Sequence, residues 1–151
     1  MSHVSSSAVI VKDLEALRQA VKMFPELTWV EGQKTYEWWG SWANDFGRDD
    51  AAYKRHGIDP KDYGKCSHAI KVAGTTWEIG VVERKQGGYA LGWDFYGPQG
   101  RPIQAVVGEQ GVKLATQYSR FATINSAKRN GFFVQQNKLP NGEYDLILQK
   151  V

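Results

Sequence analysis

The chain has 151 residues, 42% of them hydrophobic and 23% charged, enough for one domain with a real core, too little for two, and too apolar for wholesale disorder. Its net charge of +3 is too small to mark a dedicated duplex-binding protein, although the excess is uneven: residues 101–151 hold seven Lys and Arg against three Asp and Glu. A single cysteine, Cys66, excludes an internal disulfide and fits a reducing compartment. With no apolar run of membrane-spanning length and no basic start followed by a signal-peptide core, a soluble cytoplasmic protein is expected.

From the N-terminus, "SSSAVIV" (5–11) reads as a strand. "KDLEALRQAVKMF" follows as a helix with Asp13 placed to cap it and Leu14, Leu17, Val21 and Phe24 on one face. Pro25 stops it, and "LTWVEG" is a short strand ending at Gly32. Residues 43–66 carry five acids and five bases without periodicity, a surface excursion of the length that compact domains keep for functional or mobile loops. Strand character returns at "HAIKVAG" and through "WEIGVVERKQGGYALGWDFYG". A three-residue loop Gln86-Gly87-Gly88 pairs Lys85 with Tyr89 and puts Trp77, Ile79, Val81, Leu91, Trp93 and Phe95 on a core face. Glu78, Gly80, Val82, Arg84, Ala90, Gly92, Asp94 and Tyr96 fall on the other.

After the turn-rich "GPQGRP", "VKLATQYSRFATINSAKRNGF" is a second helix with Leu114, Tyr118, Phe121 and Ala122 inward and Asn130-Gly131 as its stop. "FFVQQNKLPNGEYDLILQKV" is a hairpin turning at Asn141-Gly142, with Tyr144, Leu146 and Leu148 on one side. The expectation is a single-domain α+β fold: one antiparallel sheet with two helices packed on one face, in the order β-α-β-loop-β-β-β-α-β-β.

The residues that bear on chemistry are few. "YEWWGSW" supplies Tyr36, Trp38, Trp39 and Trp42, flat rings that would take a base, a nucleotide or a partner side chain if some were exposed. Lys54, Arg55 and His56 in the excursion would add phosphate-binding charge beside them, although Asp49, Asp50 and Asp59 offset much of it. Glu78 and Asp94 on the second face of the central hairpin, with Gly80 and Gly92 as an open floor, form a pair suited to acid-base work. Lys113, Arg120, Lys128 and Arg129 on the second helix are possible phosphate contacts. Cys66, His68, His56 and His3 lack the paired spacing of a zinc site, and no phosphate-cradling or dinucleotide motif occurs; neither metal nor cofactor is expected.

The opening "MSH" leading into "VKDLEALRQAV", together with "YSRFATINSAKRNGFFVQQ" and "NGEYDLILQKV", resembles the hypothetical chloroplast open reading frame thirty-five family. This is a domain of unknown function from plastids, cyanobacteria and some bacteriophages. The shared features are a short opening helix, a Tyr-rich helix ending in Gly-Phe, and a final Asn-Gly or Asp-Gly hairpin. "YEWWGSW" and the charged excursion look like additions, which fits a phage or bacterial member. The family brings no established activity, so the resemblance implies no site residue.

The function expected from the sequence is that of a small non-enzymatic binding or accessory protein. It would engage a host macromolecule, or sequester a phosphate-bearing ligand, through the aromatic patch. One alternative is an enzyme acting on a nucleotide-like metabolite with Glu78 and Asp94 as acid-base groups. Another is a nucleic-acid binder using the basic helix. No membrane partner is expected.

Overall fold

The computed structural model describes residues 4–6, 9–38 and 64–150, and of 4–6 the backbone alone. After β1 (Val4–Ser6), Asp13 opens α1 (Leu14–Val21) by accepting from the Ala16 N–H at 3.0 Å. The helix is shorter than the apolar spacing predicts. Beyond Val21 the chain tightens, with the Met23 and Phe24 N–H groups bonding back to the Ala20 and Val21 carbonyls ahead of Pro25. Ala16, Leu17, Ala20 and Val21 are buried, and Leu14 and Phe24 pack at the margin.

β2 (Leu27–Val30), β3 (His68–Val72), β4 (Glu78–Glu83) and β5 (Tyr89–Asp94) join β1 in a five-stranded antiparallel sheet of order β1-β5-β4-β3-β2. In the central hairpin Gly80 pairs with Gly92, Val81 with Leu91 and Glu83 with Tyr89. The expected Lys85–Tyr89 register is therefore off by two. Gly87 and Gly88 both take positive φ, and the loop widens to 84–88, closed by the Arg84 N–H on the Gly88 carbonyl at 3.0 Å. A slip of two preserves the faces, so Ile79, Val81, Leu91 and Trp93 do lie in the core.

Among the described residues three helices, where two were expected, pack against the core on that face. α2 (Gly97–Val107) occupies the stretch expected to be turns, where Pro98, Pro102, Gly97 and Gly100 argued against a helix. Pro98 falls in the first turn, whose N–H groups have no intrahelical partner in any case. Gly100 is required by packing, because a Cβ there would stand 2.2 Å from the Phe95 carbonyl carbon. α2 buries Ile103 and Val107, and a short 3-10 turn (Glu109–Gly111) leads into α3 (Val112–Arg129), which buries Leu114 and Tyr118 against the same core.

β6 (Phe132–Lys138) and β7 (Tyr144–Lys150) make a sheet of their own, which corrects the expectation of a single sheet. Gly131 at φ 81° reverses the chain at the end of α3, so β6 runs straight back along that helix and the hairpin docks there. α3 consequently carries two apolar stripes. Leu114 and Tyr118 face the core, while Ile124 and Ala127 fall at helical spacing with Gln117 and Arg120 beneath the hairpin. The α+β class and the predicted order of strands and helices hold among the described residues, with α2 added; the excursion expected at 43–66 lies outside them up to residue 63.

Candidate functional site

Gly80 and Gly92 leave a bare strip on the second face of the sheet, and the 33–38 segment fills it. Tyr36 is 3% exposed and lies flat over both glycines: a Cβ on Gly80 would stand 2.3 Å from its ring, and one on Gly92 would stand 2.9 Å from its hydroxyl. Trp38, with no exposure at all, joins Tyr36, Ala69, Val82 and Ala90 in a second hydrophobic cluster. Both rings are therefore core, and neither is open to a ligand, contrary to their place in the expected patch. Trp39, Trp42, Lys54, Arg55 and His56 lie outside the described residues.

Glu78 and Asp94 flank this strip, and the floor between them is occupied rather than open. One Glu78 oxygen accepts from the Gln33 amide at 2.9 Å and from the Glu37 N–H at 3.0 Å, while the other lies 3.8 Å from the Lys71 ammonium. The Glu78 N–H in turn donates to the Glu37 carbonyl at 2.9 Å. Its carboxylate thus clasps the segment that delivers Tyr36 and Trp38. Asp94, fully buried, accepts from the Tyr96 N–H at 2.9 Å and shapes the turn into α2. Glu78 is thus tied to the aromatic segment and Asp94 to the start of α2.

Cys66 packs against the same second cluster and donates to the Gln33 carbonyl at 3.1 Å. Burial, with the Glu78 carboxylate adding to it, pushes its thiol up to about 12, far from nucleophilic at neutral pH. His68 belongs to a different neighbourhood. Its Nδ1 accepts from the Gly32 N–H at 3.0 Å, and its ring lies 5.2 Å from that of Trp29. Glu31 beside it receives Arg18 through two bonds, of 3.2 and 3.0 Å, and the Trp29 indole N–H at 2.6 Å. The Arg18 and Trp29 bonds hold its carboxyl below the ordinary range. Cys66 and His68 do not share a site, and no three His, Cys, Asp or Glu side chains converge among the described residues.

The four cations of α3 separate by position. Arg129 pairs with Asp13 at 3.6 Å, tying the end of α3 to the start of α1. Lys128 is exposed on the last turn. Lys113 and Arg120 lie two turns apart on one side, where Arg120 meets the hairpin. Its Nε and Nη2 donate to the Gln117 amide oxygen at 3.1 and 2.8 Å, and its Nη1 donates to Gln136 at 2.6 Å. The guanidinium stacks 3.9 Å from the Tyr144 ring centroid and 4.4 Å from that of Phe121. Among the described residues no carboxylate lies within ion-pair distance of it, so its charge is positioned by neutral amides and rings and is not cancelled.

Arg120 stands at one end of a trough between α3 and β7. Thr116, Ser119, Thr123 and Ser126 form the helical wall, and Tyr144, Leu146 and Leu148 the strand wall. Two cavities, of about 500 and 470 Å³, lie along it with Thr123 lining both, and Phe132 of β6 also lines the second. β6 lies closer to α3 than β7 does, which lifts β7 and leaves the trough under it. Of the sequence-derived candidates among the described residues, only Arg120 lines this feature. Tyr144 enters the sequence analysis only as part of the hairpin's apolar side, and Gln117 and Gln136 not at all, although the i, i+3 spacing of Gln117 and Arg120 on a helix is a readable signal.

No protein-family model, curated protein or solved structure matches the chain.

Proposed function

We propose that this is a non-enzymatic binding protein whose binding face is the trough between α3 and the terminal hairpin, and that it holds an anionic partner at Arg120. The observation that carries this reading is the guanidinium itself: stacked on Tyr144 and oriented by two neutral amides, it is pre-set to receive a carboxylate or phosphate at little entropic cost. The acid-base alternative loses support from the clasp at Glu78 and the ring of Tyr36 lying where a substrate would enter. A duplex-binding face is disfavoured by the separation of the α3 cations, one of which is already paired with Asp13. In a phage setting, one of those that the family resemblance would imply, the partner would be a host component.

The test is fluorescence anisotropy with a labelled oligoglutamate and a labelled oligothymidylate. Arg120→Gln should weaken the anionic probe that binds by about tenfold or more, the loss of one charge-assisted contact. Lys128→Gln should leave binding close to wild type. Equal affinity in wild type and Arg120→Gln would end this reading.

A further inference from the structure

Among the described residues β6 and β7 pair only with each other, which leaves the outer edge of β7 without a strand partner. The Leu139 N–H bonds to the Glu143 carbonyl at 2.8 Å, so 139/143 is a hydrogen-bonding position of the ladder. Antiparallel pairs alternate between bonded and non-bonded positions. With Tyr144 opposite Lys138 and Leu148 opposite Val134, the backbone groups of Tyr144, Leu146, Leu148 and Lys150 therefore point away from β6, to the open side. The side chains of Tyr144, Leu146 and Leu148 line the trough, and Leu148 is 44% exposed.

The dimensions match an extended chain. From Thr116 to Asn130 the helix rises about 21 Å at 1.5 Å per residue, the length of about six residues of strand. The hydroxyl-bearing α3 wall is made of small side chains, which do not fill the space beside β7. Charge narrows the occupant further. Among the described residues no carboxylate lies within ion-pair distance of Arg120, Lys113 lies two turns before it on the same side, and Lys138 stands opposite Tyr144; Glu143 at the hairpin turn is the one acid among the described residues that lines that half of the trough.

We infer that the trough seats an extended acidic segment of a partner protein, about six residues long, which adds to β7 as a third strand. Its apolar side chains rest on Leu146 and Leu148, and a carboxylate meets Arg120. This deepens the anionic-partner reading and rests on it. Main-chain bonds to the strand edge supply affinity, while alternate side-chain pockets supply selectivity, as in other cases of strand addition.

The experiment pans a displayed library of random peptides on the purified protein, with Thr123→Arg, which fills the trough from an exposed position, as the counter-selection. Enriched peptides should carry Asp or Glu together with alternating apolar residues. In the complex, the Leu146 and Leu148 amides should gain protection from hydrogen exchange by NMR. Methylating alternate backbone nitrogens of the peptide should weaken binding more than tenfold, and so should Arg120→Gln. If peptides bind and Arg120→Gln weakens them while those two amides exchange as in the free protein, strand addition is overturned and the anionic reading survives. If nothing is enriched over Thr123→Arg and oligoglutamate does not bind either, both fail. Sedimentation showing a dimer that Leu148→Asp dissociates, or enrichment of nucleic acid over peptide at the same site, also overturns the proposal by assigning the trough to another occupant.

Discussion

Replacing Gly80 by alanine tests the packing that removes Tyr36 from the binding surface. The added Cβ would stand 2.3, 2.4 and 2.9 Å from three atoms of the Tyr36 ring, more than 1 Å inside ordinary contact for the nearest. The obstacle is the body of a buried aromatic, not the tip of a flexible chain, so the ring must lift off the sheet. Overpacking of this kind costs about 1–3 kcal/mol, and a lifted ring forfeits part of the roughly 3–5 kcal/mol that a buried aromatic contributes. Against this, alanine in a strand interior recovers about 0.5–1 kcal/mol relative to glycine. The net expectation is a loss of about 2–3 kcal/mol, which for a chain of this size lowers Tm by about 5–10 °C. The informative measurement is a double-mutant cycle by urea denaturation followed by far-UV circular dichroism. In a Tyr36→Ala background the space above Gly80 is vacant, so Gly80→Ala should be neutral or mildly stabilising, giving a coupling of about 2–3 kcal/mol. If Gly80→Ala costs the same in both backgrounds, Tyr36 does not sit on that strip, and its ring returns to the candidate binding surface.

Other outcomes follow from single contacts. The buried Tyr118 hydroxyl accepts from the Lys12 N–H at 3.0 Å and the Asp13 N–H at 3.3 Å, so Tyr118→Phe should orphan two backbone donors at the start of α1 and cost about 1–3 kcal/mol in chemical denaturation; a neutral change would mean that other acceptors serve those donors. Cys66, with its thiol pushed up to about 12, should resist a water-soluble thiol reagent at mildly alkaline pH until denaturant is added, and rapid labelling of the folded protein would contradict its burial. For Asp13, burial opposes ionisation, but the bond from the Ala16 N–H and the contacts of Asn125 and Arg129 outweigh it and hold the carboxyl below its ordinary 3.8. Its contribution is therefore present above that value and lost as pH falls through the lower folded pKa. Asp13→Asn, which keeps a capping oxygen, should flatten the acid limb of the stability profile, and an unchanged slope would show that Asp13 is not part of it.

The periodic elements were legible because single physical rules governed them. Asp13 before an apolar stripe, Asn130-Gly131 after one, and Asn141-Gly142 between two alternating runs each specified a boundary that the structure keeps. α2 was hidden by its own composition, since the propensity penalties of Pro102 and Gly100 are overridden by the close approach of Phe95 and the burial of Ile103 and Val107. The separation of the terminal hairpin from the main sheet could not be read either. Strand alternation shows which face is apolar and is silent about whether a sheet or a helix will cover it.

The aromatic cluster carried more information than its density. Tyr36 and Trp38 are two residues apart and so fall on one side of an extended segment, and both are buried. The strands that receive them hold Gly80 and Gly92 directly opposite each other, a pair that removes two side chains from one spot of a sheet face. Such a gap in an interior is unstable unless something bulky enters it, and the ring of Tyr36 does so. Glycines in register on one face therefore predict an aromatic lid elsewhere in the chain, and Glu78, two residues from Gly80, was better placed to latch that lid than to act on a substrate. With Tyr36, Trp38, Glu78 and Asp94 assigned to the core, Arg120 stands out among the described residues as a cation fixed by two amides and two rings with no carboxylate within ion-pair distance. The binding face proposed between α3 and β7 therefore rests on Arg120, and Tyr36 and Trp38 have no part in it.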